Sequence, residues 1–149
     1  YSPTLYRGIE GLKSIAKETP IGNGLNLSDE SSFLRKISQC EIEIQALEFV
    51  ELRIFSALSA GQRVGPESST LKLRGTELQQ RLQELSVEAI GYWALPFVND
   101  TFANINEPSI GPDYAMTVAP SYFNGRKTTI YAGSNEIQRN IISKAVLGL

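Results

Sequence analysis

SDESSFLRKISQCEIEIQALEFVELRIFSALSAG, residues 28–61, is the stretch that decides the fold. Phe33, Ile37, Cys40, Ile44, Leu47, Val50, Ile54 and Leu58 recur at alternating short intervals that place them on one face of an α-helix. Ser28 or Asp29 supplies an N-cap, the helix continues to about Ala60, and Gly61 is the residue type that stops it. Ile42, Phe49 and Phe55 add apolar surface on other faces, so the helix is expected to touch more than one neighbour. About 32 residues at 1.5 Å each make a rod of roughly 48 Å. A rod of that length needs partners of similar length, which predicts a helix bundle.

Working outward, Leu5, Ile9, Leu12 and Ala16 mark a helix from about Pro3 to Glu18, with Pro3 suited to its first turn. Thr19-Pro20-Ile21-Gly22-Asn23-Gly24 interrupts the pattern with turn chemistry. Gly65-Pro66-Glu67 opens a third helix whose buried stripe is Leu71, Leu78, Leu82, Leu85, Ala89 and Tyr92, and which Pro96 ends. Phe97 to Ala119 has no helical period and carries Asn99, Asp100, Asn104, Asn106, Pro108, Gly111, Pro112 and Asp113. It reads as a long loop, a kind that tends to carry function in compact domains. A last helix runs from near Gly133 to Leu147, burying Ile137, Ile141 and Ala145. There is no internal repeat and no strand-type alternation. The expectation is an all-α, up-and-down four-helix bundle with a long loop before the last helix, a single helical domain over residues 1–149.

Composition narrows the function. The formal charge of −2 and a pI near 5.2 disfavour nucleic acid or an anionic membrane as the main partner. No apolar run is long enough to span a bilayer, so membrane insertion is not expected. Histidine is absent, which removes the usual zinc ligand, the usual general base and any Ser-His or Cys-His dyad, and no metal is expected. Cys40 is the one cysteine, so no internal disulfide forms and nothing marks a secreted framework; a cytoplasmic location is expected. Tyr1-Ser2-Pro3 carries neither an initiator Met nor signal-peptide features and leads at once into a helical pattern, as a domain of a longer chain would.

Several isolated features have plain readings. Gly22-Asn23-Gly24 is a turn and not a phosphate loop, since no strand precedes it and no lysine follows. Glu41, Glu43, Glu48 and Glu51 read as a solvated helix face, because carboxylate-bridged metal bundles also need histidine. Cys40 belongs to the core stripe. Arg126-Lys127 could hold an anion such as a phosphate or simply face solvent. Tyr92 and Trp93 either pack or cover a ligand.

The most informative segment is Ile130-Tyr131-Ala132-Gly133-Ser134-Asn135-Glu136-Ile137-Gln138-Arg139-Asn140-Ile141-Ile142. Gly133 permits a close backbone approach and a turn into the last helix. The amides that follow point out of a helix N-terminus and suit a carbonyl or phosphate oxygen. With Gly133 as cap, Glu136 stands at the third helical position, where it can bond back to a backbone N–H. The ordered string Gly-Ser-x-Glu-Ile-Gln-Arg followed by apolar residues resembles the signature of the acyl-CoA dehydrogenases, in the loop and last helix of their C-terminal bundle. The short basic turn Phe123-Asn124-Gly125-Arg126 and the helix layout agree with that family.

The resemblance implies an FAD-dependent enzyme acting on an acyl-CoA thioester, giving the trans-2-enoyl-CoA by loss of an α-proton and a β-hydride. It implies an N-terminal helical domain and a middle β-domain elsewhere in the protein. By the same resemblance the Gly133 N–H would bind the thioester oxygen, Tyr131 would border the flavin and acyl pocket, and Ser134, Glu136 and Arg126 would lie along the cofactor. Electron-transfer flavoprotein or a similar acceptor and a homo- or hetero-oligomer are implied as partners, in fatty acid β-oxidation. Ala132 departs from the pattern, because many members place the catalytic glutamate there and alanine takes no proton. Lys17-Glu18-Thr19-Pro20-Ile21-Gly22 replaces an Arg-x-x-Phe-Gly stretch, and Ile90-Gly91-Tyr92-Trp93-Ala94 replaces Gly-Gly-x-Gly-Tyr. Three readings follow: a dehydrogenase whose base lies upstream of Tyr1, a non-catalytic subunit of a heteromeric dehydrogenase, or a relative of the oxidases of this family.

Overall fold

The structure is a computed structural model that describes residues 1–96 and 110–148. Helix α1 spans Ser2–Glu18, α2 Ser31–Ser59, α3 Glu67–Ile90, α4 Val118–Gly125 and α5 Asn135–Leu147. The three long helices alternate in direction. Tyr6 bonds Glu48 and Lys13 pairs with Glu41, so α1 runs against α2; Lys36 meets Glu88 and Arg74 meets Glu43, so α2 runs against α3. Helices α4 and α5 both pack on α3, completing the all-helical bundle. Among the described residues no helix is long and apolar enough to cross a membrane.

One core joins the long helices: Leu5, Ile9, Leu12 and Ala16 of α1, Phe33, Ile37, Cys40, Ile44 and Leu47 of α2, and Leu78, Leu82, Leu85 and Ala89 of α3. Cys40 is fully buried, and burial pushes its thiol pKa up despite a hydrogen bond from Arg81. The α2 stripe departs from expectation at its C-terminal end. Glu51 takes the buried position after Leu47, while Val50 and Ile54 are half-buried and Leu58 is exposed. Glu51 lies opposite Ser2 of α1, whose N–H and hydroxyl it accepts.

Other boundaries also move. The helix α2 cap is Glu30, whose carboxylate accepts the Ser32 N–H at 2.9 Å, while Asp29 holds the Asn26 N–H at 2.9 Å from a 3-10 turn, Leu27–Asp29. The turn after α1 is the tip of a small antiparallel hairpin, β1 (Pro20–Gly22) with β2 (Leu25–Asn26), where Gly22, Asn23 and Gly24 all have positive φ. Helix α3 ends at Ile90 and not at Pro96, because Gly91 turns the backbone to a positive φ and leads into a 3-10 turn, Gly91–Ala94. That rotation puts Tyr92 in solvent, 88% exposed, where the sequence stripe had it buried.

Of the stretch expected as a loop, residues 97–109 lie outside the described ones, but the rest is not irregular: Asp113–Ala115 forms a 3-10 turn and α4 begins at Val118. Pro120 falls in the first turn of α4, where a missing N–H costs nothing. Helix α5 starts at Asn135, and Ile137, Ile141 and Ala145 are exposed, not buried; the residue it buries is Asn135.

Candidate functional site

The turn between the Arg126–Thr129 3-10 segment and α5 is built by backbone geometry. Ile130 N–H and Tyr131 N–H both reach the Lys127 carbonyl, at 2.9 and 3.1 Å, closing the segment. Ala132 and Gly133 then adopt consecutive left-handed conformations, φ +56° and +84°. Glycine tolerates this freely; for alanine the left-handed region costs about 1 kcal/mol. A Cβ on Gly133 would stand 2.7 Å from Gln138 Nε2, a flexible side-chain end that can move aside, so it is the conformation that selects glycine there. Ser134, in extended backbone, is the N-cap of α5, one residue later than the sequence placed the cap. The Ser134 hydroxyl hydrogen-bonds the Glu136 carboxylate, which also takes its own backbone N–H; together these hold the Glu136 pKa below the ordinary carboxylate range.

The start of α5 is fastened to α3. Asn135, 4% exposed, accepts at Oδ1 from Lys72 Nζ at 2.8 Å and from Thr76 Oγ1 at 3.3 Å. One turn on, Arg139 pairs with Glu77 at 2.8 Å; Glu77 pairs with Arg74 at 3.0 Å, and Arg74 with Glu43 of α2 at 3.0 Å. Tyr131, Ala132 and Gly133 are thereby displayed at the surface on a braced frame, Tyr131 being 52% exposed. The structure brings Tyr131, Gly133, Ser134 and Glu136 together at this turn.

Arg126 lies apart from them, folded onto α3. Its Nη1 meets Glu84 at 2.7 Å, Nη2 donates to the Gln80 carbonyl at 3.2 Å, Nε donates to the Tyr122 carbonyl at 3.2 Å, and the guanidinium stacks 4.3 Å from the Tyr122 ring centroid. Gln80 completes the clamp by donating to the Gly125 and Arg126 carbonyls at 3.2 and 3.1 Å. Trp93 lines an apolar cavity of about 270 Å³ with Leu95, Met116, Pro120 and Phe123, while Tyr92 stands in solvent. A second concavity, about 450 Å³, opens where α2 gives way to α3, with Arg53, Ile54, Ala57, Arg63 and Val64 among its walls. Arg53 and Arg63 form no ion pair among the described residues.

Sequence reasoning missed Lys72, Thr76, Asn135 and Glu51. Lys72 and Thr76 are one helical turn apart on the third helix, a polar pair beside the Leu71–Leu78 stripe that signals a seam with another element. Asn135 follows the cap and gives no local sign of burial. Glu51 was read with the solvated glutamates, yet it is 7% exposed. Its place four residues after Leu47 puts it in phase with the stripe, which does not by itself bury a glutamate.

Residues 7–147 of this all-helical bundle match the acyl-CoA dehydrogenase C-terminal domain. The chain belongs to the acyl-CoA dehydrogenase family. Among solved structures it is similar to a chain of the ChsE4-ChsE5 complex from Mycobacterium tuberculosis, with a TM-score of 0.72 and 21% identity over 97% of this chain and 35% of that one. At that identity the likeness is one of fold, and this chain spans about a third of the other. No curated protein sequence matches it.

Proposed function

We propose that this bundle is the C-terminal domain of an FAD-dependent dehydrogenase that converts an acyl-CoA thioester to the trans-2-enoyl-CoA, with the base supplied from outside residues 1–149. The observation that carries this is the Ala132–Gly133 turn, whose left-handed backbone opens onto the N-terminus of α5. The first-turn amides of a helix lack intrahelical acceptors and stabilise an oxygen that gains negative charge as the α-proton leaves. Gly133 contributes its N–H to that oxygen, and Tyr131 forms the exposed wall beside it. The donor set suits FAD as well: a serine hydroxyl, helix-terminal amides and the Lys72 ammonium offer partners for its many oxygens. Bound FAD would accept the hydride. Ser134 and Glu136 face that position; Arg126 braces the preceding segment through Nε, Nη1 and Nη2.

Arg53 and Arg63, in a concavity lined also by apolar side chains, suit the phosphate-bearing end of the thioester carrier. Electron-transfer flavoprotein or a similar protein takes the electrons, the enzyme is a homo- or hetero-oligomer, and it works in the cytoplasm. A second reading has its own support. Ala132 offers no proton acceptor, as a non-catalytic subunit completing a heteromeric dehydrogenase would not.

The test is anaerobic mixing of the complete enzyme with a panel of acyl-CoAs while flavin absorbance is followed. Rapid bleaching is the expected outcome. A flavin that never bleaches, or a protein that holds flavin only after a glutamate-bearing partner is added, establishes the second reading.

A further inference from the structure

Lys72, Thr76, Gln80 and Glu84 of α3 each stand four residues after the last, a step that follows one ridge of a helix. All four hold the segment that leads into α5. Lys72 and Thr76 bond Asn135, and Glu84 pairs with Arg126 at 2.7 Å. Gln80 stands between them. Its amide nitrogen lies 3.2 and 3.1 Å from the Gly125 and Arg126 carbonyls, and 3.3 and 3.4 Å from the Thr128 and Thr129 hydroxyls. Thr128, 4% exposed, bonds the same Gly125 carbonyl at 2.8 Å and closes the clamp from inside.

The segment runs against α3, so Gln80 makes its last contact at Thr129 and Thr76 its contact at Asn135. Those two footholds are one helical turn apart, about 6 Å along the axis of α3. Residues 130–134 join them, and five residues drawn out would reach about 17 Å. The excess length has to bow away from α3. Ala132 and Gly133, consecutive and left-handed, make that reversal. The rising leg starts from the clamp itself, because the Ile130 and Tyr131 N–H groups both bond the Lys127 carbonyl inside the span that Gln80 holds.

We propose that Gln80 is a positioning residue for the Tyr131–Gly133 turn: its amide fixes one foot of the bow as Asn135 fixes the other, and their spacing on α3 sets how the Gly133 N–H is presented. The link stands on hydrogen bonds and chain length; only its consequence in catalysis rests on the functional reading above.

The test is hydrogen exchange of the complete enzyme, read by mass spectrometry. Gln80→Met keeps the length of the side chain and removes its amide. Exchange at the Ile130 and Tyr131 amides is expected to rise about tenfold, with the α2 amides unchanged. Gln79→Met makes the same change one position earlier and should leave both amides as they are. Unaltered exchange at Ile130 and Tyr131 in Gln80→Met, or an equal rise in Gln79→Met, overturns the proposal. Gln80→Glu, nearer in shape and without the donor, is expected to act as Gln80→Met does and replaces it should that variant fail to fold. Because both feet hold one span, adding Gln80→Met to Asn135→Ala is expected to raise exchange far less than about tenfold; effects that multiply would mean independent anchors and overturn the shared span. With saturating acyl-CoA, Gln80→Met should slow flavin bleaching about tenfold with half-saturation little changed. Bleaching at the wild-type rate despite faster exchange overturns the catalytic consequence. Should no chain bleach flavin, the functional reading fails and the exchange rates still decide the link.

Discussion

Lys72 Nζ on α3 stands 2.8 Å from Asn135 Oδ1 on α5, and Thr76 Oγ1 shares that oxygen at 3.3 Å. One buried amide oxygen therefore fixes the point at which the last helix leaves the glycine turn. Asn135→Ala leaves a half-buried ammonium and a buried hydroxyl without this acceptor. Unmet buried polar groups cost roughly 1–3 kcal/mol each, and Thr76 retains the Lys72 carbonyl as an alternative partner, so a loss of about 2 kcal/mol is expected. Urea unfolding reads the loss, and hydrogen exchange should accelerate in α5 more than in α2. Uniform acceleration across the bundle would show that Asn135 has no local role.

Arg126 makes contacts that lysine cannot copy. Its guanidinium serves Glu84, the Gln80 carbonyl and the Tyr122 carbonyl at once while stacking on the Tyr122 ring. Arg126→Lys keeps the charge and loses the fork. Because the Glu84 pair is partly solvated, it contributes little, and the expected loss of about 1–2 kcal/mol comes mainly from the carbonyl bonds and the stacking. Thermal unfolding measures it. A direct cofactor role would show instead as flavin loss at unchanged stability.

The sequence was readable where periodicity decides the outcome. The α2 stripe from Phe33 to Leu47 and the α3 stripe from Leu78 to Ala89 are buried as spacing requires, in one core shared with α1. Legibility ends where phase and burial part. Leu58 keeps the right phase yet is exposed, and Ile137 and Ile141 keep theirs on a helix whose side-chain bonds to α3 come from Asn135 and Arg139. Periodicity also cannot say that a glutamate in phase, Glu51, will go inside, because its burial depends on donors fifty residues away in α1. The site divides the same way. The glycine signature was visible in the residues around Gly133, whereas the left-handed Ala132 contradicts the local preference of alanine and is set by the segments on either side.

Ala132 makes that last point measurable. At φ +56° glycine relieves the Cβ crowding, though it gains freedom in the unfolded chain, so Ala132→Gly should be more stable by up to about 0.5 kcal/mol. Ala132→Val, branched at Cβ, should lose more than about 1 kcal/mol. The expected order is glycine, alanine, valine in equilibrium unfolding. The opposite order at glycine and alanine would mean that the turn is not left-handed. Ala132→Glu places a carboxylate beside Gly133, and if the turn faces the substrate it should accelerate flavin bleaching in the complete enzyme.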